Sequence, residues 1–226
     1  MGMGDTRTMA TPSVPHAPTP SLGEELANAI SHGLGLVAAL VAGALLVTAA
    51  AAHGGATRVV SVAVFAATMV LLYLTSTLYH GLPRGRAKAL FRRFDHCAIF
   101  LLIAGTYTPF TLSVVRGYLG WVLFGVVWGL AAIGISLKAI AGAHRFPRLS
   151  LALYLAMGWL IVGAARPVWL HLPPWGLFWL AAGGLAYTAG IAFYAAPRLA
   201  YGHFMWHLFV LAGTTCHVVS VWRCVA

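Results

Sequence analysis

Residues 34–52 read LGLVAALVAGALLVTAAAA, a run with no charge that is apolar all the way round a helix. At 1.5 Å per residue, a helix of this length approaches the ~30 Å hydrocarbon thickness of a bilayer. A transmembrane β-barrel would need segments of about ten residues alternating apolar with polar, and this stretch does not alternate. Working outward, similar runs recur, giving seven spans at roughly 30–52, 59–80, 95–115, 118–138, 149–166, 175–195 and 203–222. The reading is an all-α, polytopic bundle of seven transmembrane helices occupying residues 22–226. No soluble domain fits between the spans, the longest expected loop being Gly81 to Phe94. Composition agrees, since 226 residues that are 61% apolar and 8% charged exclude a water-soluble globule, a disordered chain and a coiled coil.

Ahead of the spans, residues 1–21 carry Pro12, Pro15, Pro18 and Pro20 among Ser, Thr and Ala, which predicts a disordered tail. This tail lacks the apolar region and cleavage site of a secretory signal, so the first run is expected to stay as a span. Met1, Gly2 and Thr6 fit only a loose myristoylation pattern that arises often by chance.

The net charge of +10 comes from 14 Lys+Arg against four acids. These basic residues lie in short loops, where they orient a membrane protein and attract anionic headgroups, so membrane lipids are the expected partners and nucleic acid is not. One side collects Arg7, Arg84, Arg86, Lys88, Arg92, Arg93, Lys138, Arg145, Arg148 and Arg198, whereas Arg58, Arg116, Arg166 and Arg223 lie on the other. This asymmetry predicts a multi-pass protein of the cell (inner) membrane with a cytoplasmic amino terminus and an outer carboxyl terminus. Trp169, Trp175 and Trp222 fit an outer interfacial belt. Cys97, Cys216 and Cys224 are odd in number and have no metal-motif spacing, which argues against a disulfide framework.

Asp5, Glu24 and Glu25 precede the first apolar run, leaving Asp95 as the one carboxylate expected in the membrane region. It opens the third run, either as an N-cap of that helix or facing a polar cavity or cation. Ser76 and His80 lie four residues apart at the end of the second run, and His203 and His207 repeat that spacing at the start of the seventh. An i, i+4 pair places two imidazoles on one helix face within reach of one metal ion. Because the second span ends where the third and seventh begin, His80, Asp95, His203 and His207 share one depth. Three imidazoles and one exchangeable position are the pattern of a catalytic zinc, with Asp95 orienting and deprotonating a water and Ser76 hydrogen-bonding the water or a substrate oxygen. Zinc lowers the pKa of a bound water to about 7. His217 lies about 15 Å further along the last helix than His207 and is expected near the outer face, outside that site. His53, His144 and His171 read as interfacial, and His96, about 100° around the helix from Asp95, is a candidate to support the site from behind.

The motifs Glu25-x-x-Asn28-x-x-Ser31-His32-Gly33, Ser76-Thr-Leu-Tyr-His80, Phe94-Asp95-His96, Ala104-Gly-Thr-Tyr-Thr-Pro-Phe110 and His203-Phe-Met-Trp-His207 follow in order. With them the chain, from about residue 24 to its end, resembles the bacterial hemolysin III proteins, a branch of the progestin and adipoQ receptor family that is similar to the alkaline ceramidases. The resemblance implies a seven-helix fold with zinc on His80, His203 and His207, Asp95 contacting the ion through water, and Ser76 nearby. Cys97 stands where many bacterial relatives carry Ser. Glu25, Asn28 and His32 suggest no mechanism by themselves, and Asn28 and His32 are expected to pack an interfacial helix against the bundle. The favoured function is a zinc-dependent hydrolase of a lipid amide that enters sideways from the bilayer and serves lipid homeostasis. Its alternative is a receptor or sensor with structural zinc. A secreted cytolysin or an ion or proton channel ranks lower, because there is no secretion signal and only Thr214 and His217 extend the polar face of the last span.

Overall fold

The computed structural model describes residues 20–143, 145–196 and 198–225, among which there are helices and no strands. The proline-rich tail up to residue 19, with its Met1-Gly2 motif, and His144 lie outside the described residues. The helices are α1 (Leu22–His53), α2 (Ala56–Gly81), α3 (Arg86–Pro109), α4 (Gly117–Ala141), α5 (Pro147–Trp159), α6 (Ala165–His171), α7 (Pro174–Tyr194) and α8 (Gly202–Val225). A tighter 3₁₀ segment, Leu160–Ala164, joins α5 and α6 into one span, so seven spans are long and apolar enough to cross a membrane.

Local chemistry sets the ends. Ser21 caps α1 in a reciprocal box, its hydroxyl accepting from the Glu24 amide while the Glu24 carboxylate accepts from the Ser21 amide at 2.8 Å. The other Glu24 oxygen accepts from the Tyr201 amide at 2.8 Å, tying the start of α1 to the connection before α8. Pro109 has no amide proton to give, and α3 continues beyond it as a wider π-helical turn over Phe110–Val115.

Hydropathy placed several boundaries wrongly. The expected loop Gly81 to Phe94 is four residues, Leu82 to Gly85, because α3 already begins at Arg86. Its first turns are polar and basic, so a reading of apolar runs begins the helix too late. Asp95 consequently stands in the third turn of α3, and the N-cap alternative is corrected, since that place belongs to Gly85. Likewise α1 starts eight residues before the apolar run at 30, so Glu24 and Glu25 lie in the first turn of the helix that forms the first span, and Asp95 is not the one carboxylate of the spanning helices.

α3 is the inner helix, with 67% of its apolar window buried against 44% or less in every other span. The Ala104–Phe110 motif serves this position. Tyr107 donates its hydroxyl proton to the Gly158 carbonyl at 2.9 Å and accepts from the Ile161 amide at 2.8 Å, holding the 3₁₀ break of the fifth span. Thr108 accepts from the Trp128 indole at 3.1 Å, fixing α4. Gly105 lets α3 approach α2 so closely that a Cβ would collide with the Thr68 side chain. Gly105→Ala is therefore expected to lower stability by about 1–3 kcal/mol through overpacking. Gly125→Ala, where a Cβ meets nothing, is expected to be neutral or slightly stabilising. Thermal unfolding of the two purified variants in detergent checks the contrast.

Candidate metal centre

Antiparallel spans bring the end of α2 and the starts of α1, α3 and α8 to one end of the bundle. There the last turn of α2 presents His80, and the first turns of α8 present His203 and His207. The three ring centroids stand 5.1 Å (His80–His203), 5.0 Å (His80–His207) and 4.7 Å (His203–His207) apart. One nitrogen from each ring lies within 4.8 Å of the others. Around a tetrahedral zinc with Zn–N of about 2.0–2.1 Å, nitrogens stand about 3.4 Å apart, so closing the cluster takes roughly an ångström of side-chain movement. His80 and His207 are buried, and His80 Nε2 has no hydrogen-bond partner among the described residues. An imidazole nitrogen left bare in the interior costs about 1–3 kcal/mol, a cost that a cation at this point removes. Three imidazoles fit zinc and other borderline first-row ions.

The rear nitrogens of two of these rings are held by α1. Glu25 Oε2 lies 2.7 Å from His80 Nδ1, and a carboxylate can only accept, so Nδ1–H donates. The Asn28 amide nitrogen approaches the same atom at 3.5 Å, a much weaker contact. Ser31 gives its hydroxyl proton to the Asn28 carbonyl at 2.9 Å, leaving its oxygen to accept from His207 Nδ1 at 3.3 Å. His32 stacks on His207 with ring centroids 3.6 Å apart and planes 11° from parallel. Lys88 pairs with Glu25 at 3.1 Å and donates to the α2 carbonyls of Tyr79 and His80 at 2.8 and 3.3 Å and to that of the capping Leu82 at 3.2 Å. Asn28 and His32 do pack against the bundle as expected. What the sequence reading missed is that Glu25 and Ser31 contact the candidate ligands, although Glu25, Asn28, Ser31 and His32, at i, i+3, i+6 and i+7, were a signal of one helix face.

Asp95 is buried, faces Ser76 and lies near His80, with Oδ2 3.8 Å from His96 Nδ1 on its own helix. Ser76 Oγ is buried without a hydrogen bond of good geometry. The structure thus brings Asp95 beside Ser76 and near His80. It leaves His96 outside the cluster, its Nδ1 donating to the Arg92 carbonyl at 2.8 Å.

A mostly apolar cavity runs between α3, α5, α7 and α8. His32 lines it at one end, and Tyr154, Tyr194 and Trp206 are among its walls. His217 lines it too, far from the cluster, with Nε2 3.3 Å from the Leu180 carbonyl and its ring beside Tyr187. It is buried between α7 and α8, ten residues along the helix from His207 and outside the three-histidine cluster. Tyr187 meets Thr214 at 2.7 Å, so other helices extend the buried polar groups beyond what α8 alone suggested. His53 and His171 are exposed and bond their own helices at Ala49 and Pro167. Trp169 and Trp175 project outward, and the three cysteines are free.

The haemolysin-III related family matches residues 21–218. Hemolysin-3 of Bacillus cereus is 45% identical over 84% of this chain and 87% of its own, and the Hemolysin-3 homolog of Bacillus subtilis (strain 168) is 42% identical over 86% and 91%. The human monocyte to macrophage differentiation factor is similar at 26% identity over 90% of this chain and 85% of its own. With seven membrane-spanning helices and matches of this extent, the chain is a multi-pass integral membrane protein that belongs to the haemolysin-III related family.

Proposed function

We propose that this protein is a zinc-dependent hydrolase of a lipid amide, similar in kind to a ceramidase, acting in membrane lipid homeostasis with its three-histidine end toward the cytoplasm. The observation that carries the reading is continuity: the candidate metal cluster and an apolar cavity meet at His32, which lines the cavity and stacks on His207. Small-molecule sites are mostly apolar hollows with few, well-placed polar groups. An acyl chain in this cavity places its polar head beside the histidines.

His80, His203 and His207 would hold the zinc, which when bound polarises a carbonyl and acidifies water. Asp95 accepts the proton of the attacking water and returns it to the leaving amine. The Ser76 hydroxyl, beside Asp95, hydrogen-bonds the reacting oxygen as charge develops on it. The apolar walls keep bulk water from the acyl chain.

The direct test supplies N-acyl lipids to purified protein in vesicles and measures released fatty acid and amine. Release that a chelator abolishes and added zinc restores is the expected result. Stoichiometric zinc with no turnover of any acyl amide would instead make the metal structural and the protein a receptor or sensor.

A further inference from the structure

We infer that the first three turns of α1 form the outer support of the metal centre: Glu25, backed by Lys88, positions His80, and Ser31 positions His207. The inference rests on the three-histidine reading and adds to it what decides ring orientation and metal affinity.

Glu25 can only accept, so the 2.7 Å contact fixes the His80 proton on Nδ1 and leaves the Nε2 lone pair on the other side of the ring. That Nε2 is buried and without a hydrogen-bond partner among the described residues. At His207 the same result comes from a different group. Ser31 spends its one proton on the Asn28 carbonyl, so its oxygen receives Nδ1–H from His207. Two ligands on two different helices are thus set in one tautomer, with Nε2 available, by a single face of α1. A histidine that binds metal through one nitrogen is held by a partner on the other, and removing that partner costs about 10–100-fold in affinity.

The support is itself anchored. Lys88 reaches the second Glu25 oxygen at 3.1 Å while neutralising the carbonyl end of α2, so carboxylate, imidazole and helix end move together. Glu24 holds the same turn of α1 to the Tyr201 amide just before α8. α1 therefore straps the helix of His80 to the helix of His203 and His207. His203 has no comparable partner among the described residues and stands one turn before His207 on α8.

The test measures zinc affinity of the full-length protein in detergent by competition with a chromophoric chelator, beside the Tm of the metal-free form. Glu25→Ala is expected to weaken zinc binding about 10–100-fold. Glu25→Gln, whose amide oxygen can still accept from Nδ1–H, recovers much of that loss. Ser31→Ala weakens binding in the same range and Ser31→Thr restores it. The metal-free Tm stays near wild type in all four variants, whereas a merely structural role would lower it and leave affinity unchanged. Wild-type affinity in Glu25→Ala and Ser31→Ala, alongside loss of zinc in His80→Ala, overturns the positioning role and leaves the metal site standing. Wild-type affinity in His80→Ala as well overturns both.

Discussion

Purified His207→Gln protein is expected to lose its zinc while keeping its fold. His207 is buried at the centre of the cluster, 5.0 Å from His80 and 4.7 Å from His203 by ring centroids. With one of three imidazoles gone, the loss exceeds the ~100-fold upper range seen when only an outer partner of a ligand is removed. Gln is chosen over Ala because it retains volume against His32 and can still reach Ser31, which separates loss of metal from loss of packing. Elemental analysis of the purified protein gives the stoichiometry, and the Tm gained on adding zinc reports binding to the folded form. Wild-type zinc content in the variant would refute the assignment of these ligands.

Asp95→Asn is expected to keep zinc and lose turnover. The change preserves shape and removes the proton acceptor facing Ser76. General-base catalysis is worth about 10²–10⁴-fold, so released fatty acid should fall by that factor in the vesicle assay, with the zinc content unchanged. Ser76→Ala should fall less, because it removes one hydrogen bond to the reacting oxygen rather than the base. Turnover in Asp95→Asn equal to wild type would place the base elsewhere. Parallel loss of zinc and turnover would make Asp95 part of the metal's support instead.

Three features of the chain show how far reading the sequence reaches. The seven spans were legible because bilayer thickness imposes one length on every crossing helix, and runs such as residues 34–52 meet it without ambiguity. The three histidines were legible because helix periodicity fixes the i, i+4 pair and alternation of spans returns the end of α2 to the start of α8. Helix ends were not legible, because the first turns of α1 and α3 are polar and hydropathy sees only the apolar part of each helix. That single failure displaced Asp95 from the third turn to the first and put Glu25 outside the span.

The amino-acid sequence alone is enough to show a seven-helix membrane protein and to bring His80, His203 and His207 to one end of the bundle, because hydrophobic length and helical period are local properties. Only the tertiary structure decided that Glu25 and Ser31 stand behind two of those histidines, that His96 turns away to its own backbone, and that an apolar cavity reaches the cluster through His32. The physical reason is that helices separated by 50 residues or more in the chain meet through side-chain packing, and neither period nor hydropathy encodes which faces meet.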